Sequence, residues 1–112
     1  MTPQNVTAAA QMLFNADKSG VQCGLISSAF PDATLEDAYR IQDALIDMHY
    51  AAGRKRIGWK IGLTSRAMQQ ALGITTPDSG VLLDNMLFHS GDTVPAGRFI
   101  QPRIEAEIAF VM

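Results

Sequence analysis

Arg103-Ile104-Glu105-Ala106-Glu107-Ile108-Ala109-Phe110-Val111-Met112 alternates two chemistries residue by residue. Ile104, Ala106, Ile108 and Phe110 fall on one face of an extended chain, and Glu105, Glu107, Ala109 and Val111 on the other. The period of two predicts a β-strand. Side chains two apart on a strand stand about 6.5 to 7 Å apart at Cα, so Glu105 and Glu107 can converge on one ion. A hard cation such as Mg²⁺ or Mn²⁺ would relieve the repulsion between two carboxylates on an otherwise apolar strand, and it prefers oxygen ligands. On spacing alone, a solvated strand face is the commoner explanation.

Upstream of this segment, Ile57 to Leu63 is short, apolar and bounded by glycines, and it reads as a second strand. Thr64 or Ser65 can cap a short helix through Leu72 that Gly73 closes. Lys60 stands mid-strand, where lysine is disfavoured, and could bind a substrate carboxylate or steady an enolate oxygen. A solvent-facing lysine on an edge strand is the plainer alternative. Asp78, in Pro77-Asp78-Ser79-Gly80, reads as a turn residue that could also orient water or move a proton. Val81 to Phe88 reads as a short strand or a helical turn, and Asp92 to Arg98 as a connection.

The first half of the chain is helical in pattern. Val6, Ala9, Ala10, Leu13 and Phe14 recur at three- and four-residue spacing, with Gly20 as the stop. Thr34-Leu35-Glu36-Asp37 opens a second helix in the manner of a capping box, followed by the face Leu35, Ala38, Ile41, Leu45 and Met48. Gly53 ends it. Residues 21 to 31 read as a connection.

With 112 residues, 9 basic and 11 acidic side chains and a net charge of −2, the chain fits one α+β unit and lacks the basic footprint of a nucleic-acid binder. No stretch has the length and apolarity of a membrane span. The single cysteine, Cys23, excludes an internal disulfide and fits a reducing compartment, so the cytoplasm is the expected location. His49 and His89 lack the spacing of a zinc site and read as structural or exposed. The apolar end at Ala109-Phe110-Val111-Met112 leads us to expect that the sequence is the N-terminal portion of a longer protein.

Three segments, Gly58-Trp59-Lys60-Ile61-Gly62-Leu63-Thr64-Ser65, Pro77-Asp78-Ser79-Gly80 and Gln101 to Phe110, together resemble the 2-keto-4-pentenoate hydratase family of the fumarylacetoacetate hydrolase superfamily. Ala67-Met68-Gln69 and Leu83 to His89 are most similar to its 2-oxohept-4-ene-1,7-dioate hydratases. The resemblance implies helices over residues 1–56, packed beside the start of a mostly β catalytic domain over 57–112, truncated at its end. It implies Glu105 and Glu107 as two of three acidic ligands of Mg²⁺ or Mn²⁺, the third beyond Met112, and Lys60 and Asp78 as active-site residues. The implied reaction is addition of water to a 2-hydroxy-2,4-dienoate by a homo-oligomer acting on a small 2-oxo acid. A 4-oxalocrotonate decarboxylase, or a non-catalytic folding or oligomerisation module, is the alternative.

Overall fold

The computed structural model describes residues 1–112 as four α-helices and a two-stranded antiparallel sheet. Helix α1 spans Pro3–Ser19, α2 Ile26–Ala29, α3 Leu35–Ala51, β1 Arg56–Gly62, α4 Arg66–Leu72 and β2 Asp78–Leu83, followed by a 3-10 turn at Asp84–Met86. The chain is α+β, as its sequence leads one to expect. The one-turn α2 lies within the stretch read as a plain connection, too short for periodicity to reveal it.

Local chemistry sets the helix ends. Thr2 caps α1 by accepting the Asn5 amide at 3.1 Å, and Pro3 enters the first turn, where a missing N–H costs nothing. Gly20 closes α1 at φ 68, a left-handed backbone that glycine takes without a Cβ penalty. Ser65 and Gly73 do the same for α4. In α3 the capping box is complete: the Thr34 hydroxyl accepts the Asp37 amide at 3.2 Å, and the Asp37 carboxylate accepts the Thr34 amide at 3.1 Å.

Helices α1 and α3 pack together and hold the main apolar cluster, Val6, Ala9, Ala10 and Ile41, with Leu13, Phe30, Ala44, Leu45 and Met48 around it. Ala9 and Ala10 are fully buried, so the helices approach closely there. The inward face of α3 differs from the sequence expectation. Leu35 is 62% exposed and Ala38 is exposed, while Asp37 is buried in their place. Compensation explains the exchange: besides closing the cap, Asp37 accepts from the Met1 ammonium at 3.1 Å and from Arg40 at 2.8 Å. These contacts join the start of α1 to α3. They also hold the Asp37 carboxyl far below its ordinary range, first through the Thr34 amide and then through the Met1 ammonium and Thr34 hydroxyl.

Strands β1 and β2 pair in the register Gly58 with Leu82, Trp59 with Val81, Lys60 with Gly80, Ile61 with Ser79 and Gly62 with Asp78, with an irregularity between Arg56 and Gly58. Side chains of α3 finish the outer edge of β2. The Ser79 amide donates to the Tyr39 hydroxyl at 3.3 Å, and the Ser79 carbonyl accepts from Gln42 at 3.1 Å. Two further bonds close the sheet's end, from the Asp84 amide to the Lys55 carbonyl and from the Lys55 amide to the Asp84 carboxylate.

The strand expected over 103–112 is not formed. Residues 102–112 hold no regular structure and are exposed, with Ile104 at 100% and Phe110 at 86%. A strand exists through its partner, and no other segment lies alongside this one to complete a ladder. No helix is long and apolar enough to cross a membrane.

Candidate active site

Lys60 and Asp78 share one face of the sheet. Lys60 stands opposite Gly80 and Asp78 opposite Gly62, so both side chains project on the side that also holds Gly58 and Leu82. The facing glycines make room for them. A Cβ on Gly80 would stand 3.3 Å from Lys60 Cγ and 3.8 Å from Lys60 Cδ. A Cβ on Gly62 would collide with the Asp78 carboxylate, whose Cγ lies 3.3 Å away. Gly62 and Gly80 thus leave room across the ladder for Asp78 and Lys60, which the sequence signals only by placing glycine two positions after Lys60 and two after Asp78.

Asp78 is the first residue of β2, which corrects its reading as a turn residue: the turn ends at Pro77, and ladder pairing begins one residue later. Both Lys60 and Asp78 are exposed and neither enters an ion pair. Their charges are therefore free for a ligand. The opposite face is apolar and also open, with Trp59 58% and Ile61 63% exposed, and Arg56 stacked 5.2 Å above the Trp59 ring.

Glu105 and Glu107 lie in the exposed segment after Gln101, apart from any ion pair. No group of three His, Cys, Asp or Glu side chains gathers as a metal site would require. The two carboxylates fit Mg²⁺ or Mn²⁺ in kind, as hard oxygen donors, and amount to part of a ligand set. Arg103 does not pair with them; it borders an open cleft of about 500 Å³ with Leu13, Asp17, Cys23, Arg98 and Phe99.

Two strained residues border these segments. Leu63 (φ 53) follows β1 and Gln101 (φ 50) precedes the glutamate segment, both left-handed without being glycine. Such strain concentrates where a fold commits side chains to a task. At Leu63 it is held by its carbonyl, which accepts from Gln69 at 2.6 Å. His49 is structural: it is buried, 5.0 Å edge-on from the Phe14 ring, with Nε2 4.0 Å from Asp17.

Known proteins similar to this chain include hydratases of small 2-oxo acids. The chain is 49% identical over 106 residues to the 2-oxo-hept-4-ene-1,7-dioate hydratase of Escherichia coli, covering 95% of this chain and 40% of that one. It is 44% identical over 112 residues to the 2-keto-4-pentenoate hydratase of Paraburkholderia xenovorans, covering all of this chain and 42% of the relative. Among solved structures it matches the 4-oxalocrotonate decarboxylase of Pseudomonas putida complexed with calcium and acetate. That match has a TM-score of 0.72 and 35% identity, over 76% of this chain and 33% of the other. The same decarboxylase, complexed with magnesium and adipate, matches equally. No family model matches.

Fold and sequence together place the chain among the α+β proteins of the fumarylacetoacetate hydrolase superfamily. Within them it is similar to the 2-keto-4-pentenoate and 2-oxo-hept-4-ene-1,7-dioate hydratases over 95–100% of its own length. It spans about two-fifths of the length of the curated relatives it matches.

Proposed function

We propose that this chain is the first part of a divalent-metal hydratase that converts a 2-hydroxy-2,4-dienoate to a 4-hydroxy-2-oxo acid in the breakdown of aromatic compounds. The observation that carries this reading is the 44–49% identity to hydratases over 95–100% of the chain. Residues 1–56 form the helical region and 57–112 begin the catalytic domain. The complete enzyme works as a homo-oligomer in the cytoplasm.

The net chemistry releases the proton of the 2-hydroxyl, adds a proton at C5 and then adds water across C3=C4, with hydroxyl at C4. Glu105 and Glu107 would hold Mg²⁺ or Mn²⁺, which when bound supplies Lewis acidity to the substrate's carboxylate and 2-oxygen. Lys60 presents a mobile ammonium to anionic oxygen, balancing charge that builds up as the dienol gives up its proton. Asp78, held over Gly62 on the same face, accepts or returns a proton and orients the attacking water.

The second reading, a 4-oxalocrotonate decarboxylase, is favoured by the structural match to that enzyme. Grafting residues 1–112 onto the remainder of the Escherichia coli relative and supplying each dienoate with Mg²⁺ separates the two. Loss of dienol absorbance without gas is the expected result; stoichiometric CO₂ establishes the decarboxylase, and an inert but folded graft favours a non-catalytic module.

A further inference from the structure

Two side chains of α3 hold Ser79 of β2 from the outside. The Ser79 amide donates to the Tyr39 hydroxyl at 3.3 Å, and the Ser79 carbonyl accepts from the Gln42 side-chain amide at 3.1 Å. Tyr39 and Gln42 are three residues apart on one helix and so share a face. One acceptor and one donor meeting both backbone groups of a single residue do what the next strand of an antiparallel ladder would do. The helix that carries them is itself fixed. Ile41, between the two, is buried against Val6, Ala9 and Ala10 of α1, and Asp37 takes the Met1 ammonium and Arg40.

Bonded and non-bonded pairs alternate along an antiparallel ladder. Ser79, opposite Ile61, turns its backbone groups toward α3, so the pairs on either side of it, Asp78 with Gly62 and Gly80 with Lys60, are the ones that exchange bonds between β1 and β2. Asp78 opens β2 and forms the last pair of the ladder, the position most prone to fray. Its carboxylate enters no ion pair and lies over Gly62 through the course of its own backbone. Release of Ser79 would leave the start of β2 tied on one side alone, by Gly62, and the carboxylate free to swing.

We propose that Tyr39 and Gln42 are positioning residues for Asp78: by holding Ser79, they keep the Asp78 carboxylate over Gly62, on the face it shares with Lys60. Both act through the backbone of Ser79 and need not touch substrate. The helical region thereby sets the geometry of a group on the sheet. This rests on the reading of Asp78 given above, as the residue that moves a proton and orients water, and names what keeps it in place.

Amide hydrogen exchange and steady-state kinetics of the grafted enzyme test it together. Tyr39→Phe removes the acceptor alone, and Gln42→Glu sets a carboxylate against the Ser79 carbonyl in place of the donor. Each should speed exchange of the Ser79 amide about tenfold or more. Each should also lower kcat about tenfold or more while KM and Mn²⁺ affinity stay within about twofold of wild type, because substrate and metal are held by other residues. In an Asp78→Asn background, followed over long incubations, neither substitution should lower kcat further, since the group they position is gone. Unchanged exchange at Ser79, or unchanged kcat in variants of an enzyme that Asp78→Asn slows, overturns the proposal and leaves the functional reading standing. Equal losses of kcat with and without Asp78 make the role a general structural one and overturn it too. Hydration untouched by Asp78→Asn, or absent from a folded graft, removes the reading of Asp78 and the proposal with it.

Discussion

The carboxylate of Asp78 lies over the Cα of Gly62, directly across the antiparallel ladder, in the space that any side chain at position 62 would need. Gly62→Ala therefore displaces Asp78. The expected cost is about 1 kcal/mol of stability, because an exposed carboxylate can rotate away. Activity of the grafted enzyme should fall further than stability does. Gly58→Ala is the control: its nearest neighbour would be Leu82 Cδ1 at 3.9 Å, ordinary contact, so neither quantity should move as much. Urea denaturation and turnover, measured side by side, read both effects; equal responses at the two glycines would remove the special role of Gly62.

Asp37 makes stability depend on acid. Its carboxyl is held below the ordinary range when folded, by the Thr34 amide first and the Met1 ammonium next, so the folded state binds fewer protons than the unfolded one. The stabilisation is present above about pH 4 and is lost as pH falls toward the depressed value. Melting temperature followed from pH 7 to pH 2 should show Asp37→Asn well below wild type at neutral pH, with the two curves converging in acid. A constant gap across that range would contradict the linkage. Thr34→Ala, which removes the hydroxyl of the cap, should cost about 1 kcal/mol.

Close approach of α1 and α3 depends on Ala9 and Ala10, both fully buried against the cluster that includes Ile41. Ala10→Leu should destabilise by about 1–3 kcal/mol through overpacking, and Ile41→Ala by about 2–5 kcal/mol through the cavity left behind. Chemical denaturation checks both. An unchanged midpoint in Ala10→Leu would mean that the helices are further apart than described.

What could be read in advance followed from interactions between near neighbours. Thr34 with Asp37, and Ser65 with Gly73, mark helix ends through bonds spanning a few residues, and the structure shows them where the sequence puts them. The inward turn of Asp37 was not legible, because its burial depends on the Met1 ammonium, 36 residues away. Nor was the placing of Asp78 on a strand, since its partner Gly62 is supplied by another part of the chain. The 103–112 segment failed for the complementary reason: alternation announces a strand, but a ladder needs a neighbour, and none lies beside it. The glutamates were legible as a pair and not as a site, because periodicity relates residues within one segment and says nothing of what another strand brings to them.

The most direct test of the central claim is Mn²⁺ titration of the grafted enzyme, followed by the electron paramagnetic resonance signal of free Mn²⁺ and by dienoate hydration. If Glu105 and Glu107 hold the metal, the double variant Glu105→Gln with Glu107→Gln should lose Mn²⁺ affinity on the order of 100-fold and hydration with it. Lys60→Ala should lose hydration while keeping the metal. Wild-type Mn²⁺ affinity in the double glutamine variant would contradict the account.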